Sequence, residues 1–272
     1  MPQRSSSGFL IPCLLLAATT AAALATPAAV AAPGPSAALE VAVETVSGAL
    51  RQAWNGDPAT AALPWPTLRL VPSGSGVLAS CPSAGGASTD TSALFCEATG
   101  ELLLDAKGLS SEQERYGSWG LAYWIATGLG QFFLARQNSG SASPGPAVNL
   151  QAVCLAGVLL DSSPGLTPRT PAQKLSPARS AYGSVDASLQ GTRSQRAYAL
   201  LSGFGATASP CTATAMEGLA ADRVGDPKLL GEVGEDPGNR ALSSVSDTLN
   251  MTCRKPLRCP RRIREVYAAS GP

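Results

Sequence analysis

A long apolar stretch in the middle of the chain constrains the fold more than any other feature. Between residues 123 and 134 apolar side chains occupy most sides of a helix, and a helix of this kind is buried on all sides. Ser110 or Ser111 can cap this helix, and Glu114 is placed to complete a capping box with Ser111. The helical pattern continues to about Gln137. The sequence therefore predicts a central helix around which the other elements pack.

The other predicted elements are helices, one hairpin and one further strand. Helices are indicated where apolar residues recur every three or four positions, and strands where short apolar runs are bounded by turn residues. The predicted helices cover residues 37–54, 147–161, 181–189 and 194–203. The predicted strands cover residues 68–72, 94–96 and 101–105, the last two joined by a turn at 98–100. These elements indicate an α+β fold class, a mostly helical body with a small β-hairpin or sheet.

Residues 1–25 have the pattern of an export signal. Arg4 precedes an uncharged run that starts near Phe9, and residues 23–25 offer a small-x-small cleavage site. An Ala/Pro linker follows at 26–36. We expect cleavage and a periplasmic or secreted protein. An uncleaved segment would instead anchor the chain in a membrane.

The cysteines also indicate export. Cleavage removes Cys13 and leaves an even number of cysteines. In an exported chain such a set predicts disulfides rather than free thiols, although spacing alone does not select the pairs. The candidates are Cys81, Cys96, Cys154, Cys211, Cys253 and Cys259.

The sequence contains no histidine, which excludes several kinds of catalysis. Ser-His-Asp and Cys-His hydrolases need an imidazole to carry the proton, and catalytic zinc is nearly always held by at least one His. We therefore predict no cofactor and no metal. The 20 basic and 19 acidic residues nearly balance, so no nucleic-acid partner is expected.

Several stretches follow one another in the order of a known set of motifs. Residues 122–131 begin with Ala-Tyr-x-x-Ala, and residues 149–158 read Asn-Leu-Gln-Ala-Val-Cys-Leu-Ala-Gly-Val. Residues 190–196 read Gln-Gly-Thr-Arg-Ser-Gln-Arg. Together with the two cysteines and the apolar runs of 81–105, these stretches resemble the bacterial family of neutral zinc metallopeptidases. The resemblance covers about residues 40–215.

The residues that carry the chemistry of that family are replaced here. The family has the motif His-Glu-x-Gly-His at residues 127–131. In this chain Thr127 and Gln131 replace the two His ligands, and Gly128 replaces the general-base Glu. Asn149 stands in place of the Glu expected as the third ligand, and Gln190 in place of a further His. The resemblance therefore implies a zincin-like metallopeptidase body that has lost its zinc site and its catalytic residues.

The resemblance also implies the remaining organisation of the chain. It pairs Cys81 with Cys96 and Cys154 with Cys211, which leaves Cys253 and Cys259 to close a small local loop. The implied domain is a metallopeptidase-like body at 37–222. Beyond about Asp222 the Gly/Pro-rich, polar composition and the basic end predict a flexible basic C-terminal tail at 223–272.

Three functions are compatible with these features. The leading hypothesis is a non-catalytic exported protein that binds a peptide or protein partner in the former cleft. One alternative is a hydrolase with replaced chemistry, either a carboxylate pair or a Ser-Lys pair. The charged groups available for it are Asp105, Glu112, Glu114 and Lys174. The other alternative is a structural envelope protein attached by its basic tail.

The replaced positions have two interpretations. Thr127, Gln131 and Asn149 either line a polar pocket or hydrogen-bond to each other inside the protein. We expect the second, because buried amides must be paired in any case. Arg196 is expected to have a structural role, pairing with a carboxylate such as Asp186.

Overall fold

The protein is mostly helical, with one small sheet. The computed structural model describes residues 36–72, 81, 91–137, 145–166, 178–183 and 189–235. The helices are α1 (Ala37–Gly56), α2 (Ala106–Tyr116), α3 (Ser118–Gln137), α4 (Pro146–Ser162), α5 (Arg193–Gly203), α6 (Ala213–Ala220) and α7 (Pro227–Glu235). The strands are β1 (Thr67–Val71), β2 (Ala93–Cys96) and β3 (Glu101–Asp105). These elements confirm the α+β class.

Helices α3 and α4 lie at the centre of the fold. Every residue from Gly120 to Gly130 in α3 and from Leu150 to Leu160 in α4 is buried. The two backbones touch, since a Cβ at Gly130 would come within 2.5 Å of the carbonyl oxygen of Ala152. Only a residue without a side chain allows this approach. The central helix and the second buried helix predicted from the sequence are thus confirmed.

The region predicted as one helix up to Gln137 is two helices in the structure. Helix α2 ends at Gly117, whose φ of 64° lies in the left-handed region that glycine favours. Helix α2 also begins earlier than predicted, because the Asp105 carboxylate accepts a hydrogen bond from the Gly108 N–H at 2.7 Å. The cap predicted at Ser110 or Ser111 is therefore wrong.

The sheet has the strand order β1-β3-β2. Strands β2 and β3 form an antiparallel hairpin with Phe95 opposite Leu102, as predicted. Strand β1 pairs with β3 in parallel, which places Arg69 beside residues of the hairpin. The Arg69 guanidinium forms an ion pair with Glu101 at 3.0 Å across this pairing.

The two faces of the sheet pack against different groups, because successive residues of a strand point to opposite faces. On one face Phe95 and Leu102 join the main core with the helices. On the other face Leu103 packs with the disulfide between Cys81 and Cys96. This bridge confirms the first implied cysteine pair.

A second disulfide joins Cys154 of α4 to Cys211, just before α6. Both cysteines are fully buried, and the Gln151 side-chain amide donates to the Cys211 carbonyl oxygen at 3.0 Å. This bridge confirms the second implied pair, while Cys253 and Cys259 lie outside the described residues. Two disulfides indicate that the protein folds in an oxidising environment.

Helix α1 confirms the first predicted helix. The Ser36 hydroxyl caps it by accepting from the Leu39 N–H at 3.3 Å. Near its other end, Trp54 stacks on Phe132 of α3 with ring centroids 5.7 Å apart. The predicted signal at 1–25 lies outside the described residues. Across the described ranges, no helix combines the length and hydropathy needed to cross a membrane.

The C-terminal end of the folded body lies beyond the predicted boundary. The sequence predicts a flexible tail from residue 223, yet α7 packs on α5 and buries Leu230. The Asp226 carboxylate caps α7 by accepting from the Leu229 N–H at 2.9 Å. The described fold therefore includes residues up to 235, and residues 236–272 are not among the described residues. Upstream, α5 confirms the predicted helix at 194–203.

Replacing Gly203 by Ala should destabilise the contact between α4 and α5. A Cβ at this position would lie 2.0 Å from the Cys154 carbonyl oxygen and 2.8 Å from the Gly157 Cα, so the helices would have to separate. We expect Gly203→Ala to lower the free energy of unfolding by about 1–3 kcal/mol in urea denaturation.

Gly48→Ala is the matched control for this substitution. Gly48 is exposed within α1, and a Cβ there meets no atom within 4 Å. Its replacement should raise the free energy of unfolding by up to about 1 kcal/mol. Equal effects of the two substitutions would contradict the close approach of α4 and α5.

Candidate functional site

The five positions implied by the resemblance lie on two helices and one turn. Thr127, Gly128 and Gln131 are on α3, Asn149 is in the first turn of α4, and Gln190 lies in the turn before α5. Thr127 and Gln131 are four residues apart and therefore project from the same face of α3. The hydrogen bonds described next show which of these side chains are in contact.

The Gln131 side chain connects the sheet to α4. Its Oε1 accepts a hydrogen bond from the backbone N–H of Phe95 in β2 at 3.0 Å. Its Nε2 donates to Oδ1 of Asn149 at 3.3 Å. Both ends of this amide are therefore used by the protein itself.

Asn149 and Gln190 continue this network into the turn before α5. The Asn149 Nδ2 donates to the Leu189 carbonyl oxygen at 2.6 Å and, at 3.4 Å, to the Gly145 carbonyl oxygen. The Gln190 Nε2 donates to the Thr91 hydroxyl oxygen at 2.6 Å. The turn is thus bonded to α4 on one side and to Thr91, two residues before β2, on the other.

We call this group of neutral, half-buried amides and their partners the amide site. Its members are Gln131, Asn149, Gln190, Phe95, Leu189 and Thr91. None of these groups carries a formal charge. The expectation that the replaced side chains hydrogen-bond to each other is met by Gln131 and Asn149, which are in direct contact.

Thr127 does not join the amide site through any hydrogen bond in the described structure. Its hydroxyl donates to the Tyr123 carbonyl oxygen one turn earlier in α3, at 2.8 Å. This bond satisfies the buried hydroxyl within its own helix. Thr127 therefore departs from the expected contact with Gln131 and Asn149.

Gly128 has no room for a side chain in this packing. A Cβ at this position would lie 2.2 Å from Leu102 Cδ1 of β3. Leu102 is fully buried in the main core and cannot turn away into solvent. The space that a side chain at position 128 needs is therefore filled by the sheet.

The remaining residues of the 190–196 stretch have structural roles. Gly191 has a φ of 79°, and a capping box between Thr192 and Gln195 starts α5. The Gln195 Nε2 also donates to Asp222 Oδ1 at 2.8 Å, which fastens the end of α6 to α5. Sequence reasoning missed these contacts because Asp222 is 27 residues away from Gln195.

Arg196 is buried and bonds to two backbone carbonyl oxygens. Its Nε donates to Ala181 at 2.9 Å and its Nη1 to Gly191 at 2.7 Å. The predicted pairing with Asp186 lies outside the described residues. The described contacts hold the helical segment 178–183 against the start of α5.

The carboxylates considered for alternative chemistry do not form a described pair. Asp105 caps α2, and Glu114 lies elsewhere on that helix. Glu112 instead accepts a short hydrogen bond from the hydroxyl of Ser180, a partner that the sequence gave no reason to expect. Lys174 lies outside the described residues.

Burial shifts the pKa values of Glu112 and of Tyr123. It raises the pKa of Glu112 above its usual value of 4.5, while the hydrogen bond from Ser180 opposes this shift. Burial likewise raises the pKa of Tyr123 to about 12, against the opposing charge of Arg196. Tyr123 therefore remains protonated at neutral pH.

The described ranges offer no metal centre. They contain no group of three or more His, Cys, Asp or Glu side chains that could hold an ion. Amide oxygens such as those of Gln131 and Asn149 are weak ligands for Zn²⁺, which prefers imidazole, thiolate and carboxylate groups. The amide site is suited to neutral hydrogen bonding.

Comparison with protein-family models, with curated proteins and with solved structures finds no match to this chain.

Replacing Gln131 by Leu should destabilise the protein. The substitution leaves the Phe95 N–H without its acceptor and removes the donor to Asn149 Oδ1. We expect the free energy of unfolding to fall by about 1–3 kcal/mol in urea denaturation. Gln52→Leu at an exposed position of α1 is the control and should change stability by less than about 0.5 kcal/mol. Similar losses for both variants would argue against the Gln131 bridge.

Replacing Glu112 by Gln should alter how stability depends on pH. The folded protein binds the Glu112 proton more tightly than the unfolded chain does, because burial raises this pKa from 4.5. The stability that the protonated Glu112 side chain contributes is therefore fully present below pH 4.5, and it is lost as pH rises through the raised pKa. Gln keeps an acceptor for Ser180 and removes this titration, so the variant should gain stability relative to wild type across that window.

Urea denaturation of both proteins over a pH series measures this difference. Glu114→Gln, at an exposed position of the same helix, controls for the loss of a surface carboxylate. A Glu112→Gln curve that runs parallel to the wild-type curve from pH 4.5 upward would show that burial does not control this group.

Proposed function

We propose that this protein is an exported, catalytically inactive relative of the neutral zinc metallopeptidases, with a zincin-like body, that does not hydrolyse peptides. The contact between Gln131 and Asn149 carries the proposal. The resemblance assigns these two residues to ligand positions on different helices, and their side chains meet at 3.3 Å. Thr127, the remaining ligand position, is one turn from Gln131 on the same face of α3.

This arrangement supports the proposal because zinc sites need the same convergence. Two ligands four residues apart on one helix, with a third from another element, surround an ion while leaving a position open for water. In the described chain Gln131 and Asn149 are in contact, Thr127 lies one turn from Gln131, and all three side chains are neutral. The Asn149 bond to Leu189 also places the turn that contains Gln190 beside them.

The loss of catalysis has two separate causes in this proposal. The ligand positions provide hydroxyl and amide groups in place of imidazole and carboxylate, so zinc binding is weak. The general-base position is Gly128, and Leu102 fills the adjacent space. Restoring the ligands alone would therefore not restore a base that activates water.

Two features support our proposal for the location of the protein, its disulfides and its first 25 residues. Two disulfides indicate an oxidising environment, and the N-terminal pattern is typical of an export signal. We propose a periplasmic or secreted protein, with anchoring through the N-terminal segment as the alternative. Its partner would be a peptide or protein bound at the former cleft.

The hydrolase alternative has one supporting observation, the hydrogen bond between Ser180 and Glu112. A serine beside a carboxylate with a raised pKa can in principle act as an activated nucleophile. However, Ser180 is fully buried, so a substrate carbonyl would not reach its hydroxyl in this conformation. The structure therefore favours the non-catalytic proposal.

The first test measures metal content and peptidase activity on the same sample of oxidised protein. We expect no stoichiometric zinc and no cleavage of denatured casein. Bound zinc together with cleavage that a chelator abolishes would overturn the proposal, since it would require ligands at other positions.

A second test restores the ligands. The triple variant Thr127→His, Gln131→His, Asn149→Glu should bind Co²⁺ stoichiometrically and give the visible spectrum of a tetrahedral site. The variant that keeps Asn149 should bind roughly tenfold more weakly or worse, because it lacks the carboxylate. The triple variant should still not cleave casein, because position 128 carries no base.

Circular dichroism of the triple variant establishes that it is folded before its metal binding is measured. A folded triple variant that binds Co²⁺ no better than wild type would contradict the assigned ligand positions. That result would count against the resemblance, whereas zinc-dependent cleavage by wild type would count against inactivity.

A further inference from the structure

The turn at residues 189–190 contributes Leu189 and Gln190 to the amide site, and two hydrogen bonds hold it against Asn149 and Thr91. Asn149 Nδ2 donates to the Leu189 carbonyl oxygen, and Gln190 Nε2 donates to the Thr91 hydroxyl, each at 2.6 Å. Both bonds join neutral groups, and both Leu189 and Gln190 are partly exposed. Neutral hydrogen bonds at a partly exposed position add only modestly to stability.

The residues that follow this turn are fixed much more firmly. The Gly191 carbonyl oxygen accepts from the buried Arg196 at 2.7 Å, and Thr192 begins α5 with a complete capping box. Gly191 itself has a φ of 79°, which glycine adopts without strain, and it is buried against Leu150 and Gln195. The chain therefore changes at Gly191 from a weakly held turn to a rigid anchor, which is the arrangement of a hinge.

We propose that the turn 189–190 is a releasable strap over Asn149, and that its Leu189 carbonyl occupies the place of a main-chain carbonyl of a peptide ligand. Release of the strap frees the Asn149 side-chain amide as a donor. Only the assignment of a peptide as the ligand rests on the proposed function. The strap itself follows from the hydrogen bonds and from Gly191.

The chemistry of the amide site selects this class of ligand. The side chains that release makes available are carboxamides and a hydroxyl, from Asn149, Gln190 and Thr91. They match the N–H and C=O groups of a peptide backbone and contain no charge to recognise an ion. A neutral main-chain amide can therefore replace Leu189 on Asn149 with no change in the number of hydrogen bonds.

The Phe95 N–H reports on the state of the strap. It donates to Gln131 Oε1, and Gln131 donates in turn to the Asn149 Oδ1. Asn149 is fixed by its bond to Leu189 of the strap. Loosening the strap should therefore loosen Gln131 and speed the hydrogen exchange of the Phe95 amide.

The experiment measures amide hydrogen exchange by NMR in the oxidised protein, for wild type and Gln190→Ala. Loss of one neutral hydrogen bond should speed exchange of the Phe95 amide roughly 2- to 13-fold. Thr91→Ala removes the other partner of the same bond and should give the same change. The double variant should add little to either single variant. Gln52→Ala at an exposed position of α1 is the control and should leave this amide unchanged.

The ligand class is tested with a neutral, end-capped alanine–serine peptide. We expect this peptide to slow Phe95 exchange in Gln190→Ala at concentrations that leave wild type unchanged, because the wild-type strap competes with it. Equal protection of both proteins, or protection of neither, would overturn the assignment of the peptide.

Unchanged Phe95 exchange in both folded single variants would overturn the strap itself. None of these outcomes depends on zinc or cleavage. A failed strap is therefore distinguishable from a failure of the proposed inactive metallopeptidase, which the metal and cleavage assays decide.

Discussion

The direct backbone contact between α3 and α4 is the constraint on which the other elements depend. Both helices are buried along eleven consecutive residues, from Gly120 to Gly130 and from Leu150 to Leu160. Their remaining surfaces must be covered by other apolar elements, because apolar area left in water is unfavourable. The sheet, α1 and α5 provide that cover, and Gly130 sets how closely the two central helices approach.

The same contact explains why neutral side chains suit the amide site. It lies where α3, α4 and the hairpin meet, in a half-buried region in which an unpaired charge would be costly. Carboxamides carry one donor group and one acceptor, so Gln131 can satisfy the Phe95 N–H and Asn149 together. Amides at this point need no counter-ion, whereas buried carboxylates would need one.

The sequence predicted the elements whose signals are local. Long apolar runs revealed α3 and α4, and two short runs around Gly100 revealed the hairpin. The break at Gly117 was missed because the apolar pattern continues on both sides of it. The pairing of β1 with β3, the bond from Phe95 to Gln131 and the one from Ser180 to Glu112 connect distant segments, 68 residues apart in the last case. No local pattern encodes such contacts. The disulfide pairs also join distant segments, but they could be predicted because a family resemblance supplied them.

The bridge between Cys154 and Cys211 has a consequence for the integrity of the chain. It closes a loop over a sequence separation of 57 residues, and α5 and the residues that bound the amide site on one side lie inside that loop. A single peptide-bond cut between these cysteines would yield two fragments that remain covalently joined. The joined fragments would migrate together until a reductant separates them. In the chain-entropy model, closing this loop lowers the entropy of the unfolded chain and so stabilises the folded protein by about 4 kcal/mol. A protein built this way therefore stays in one covalent piece after a single such cut.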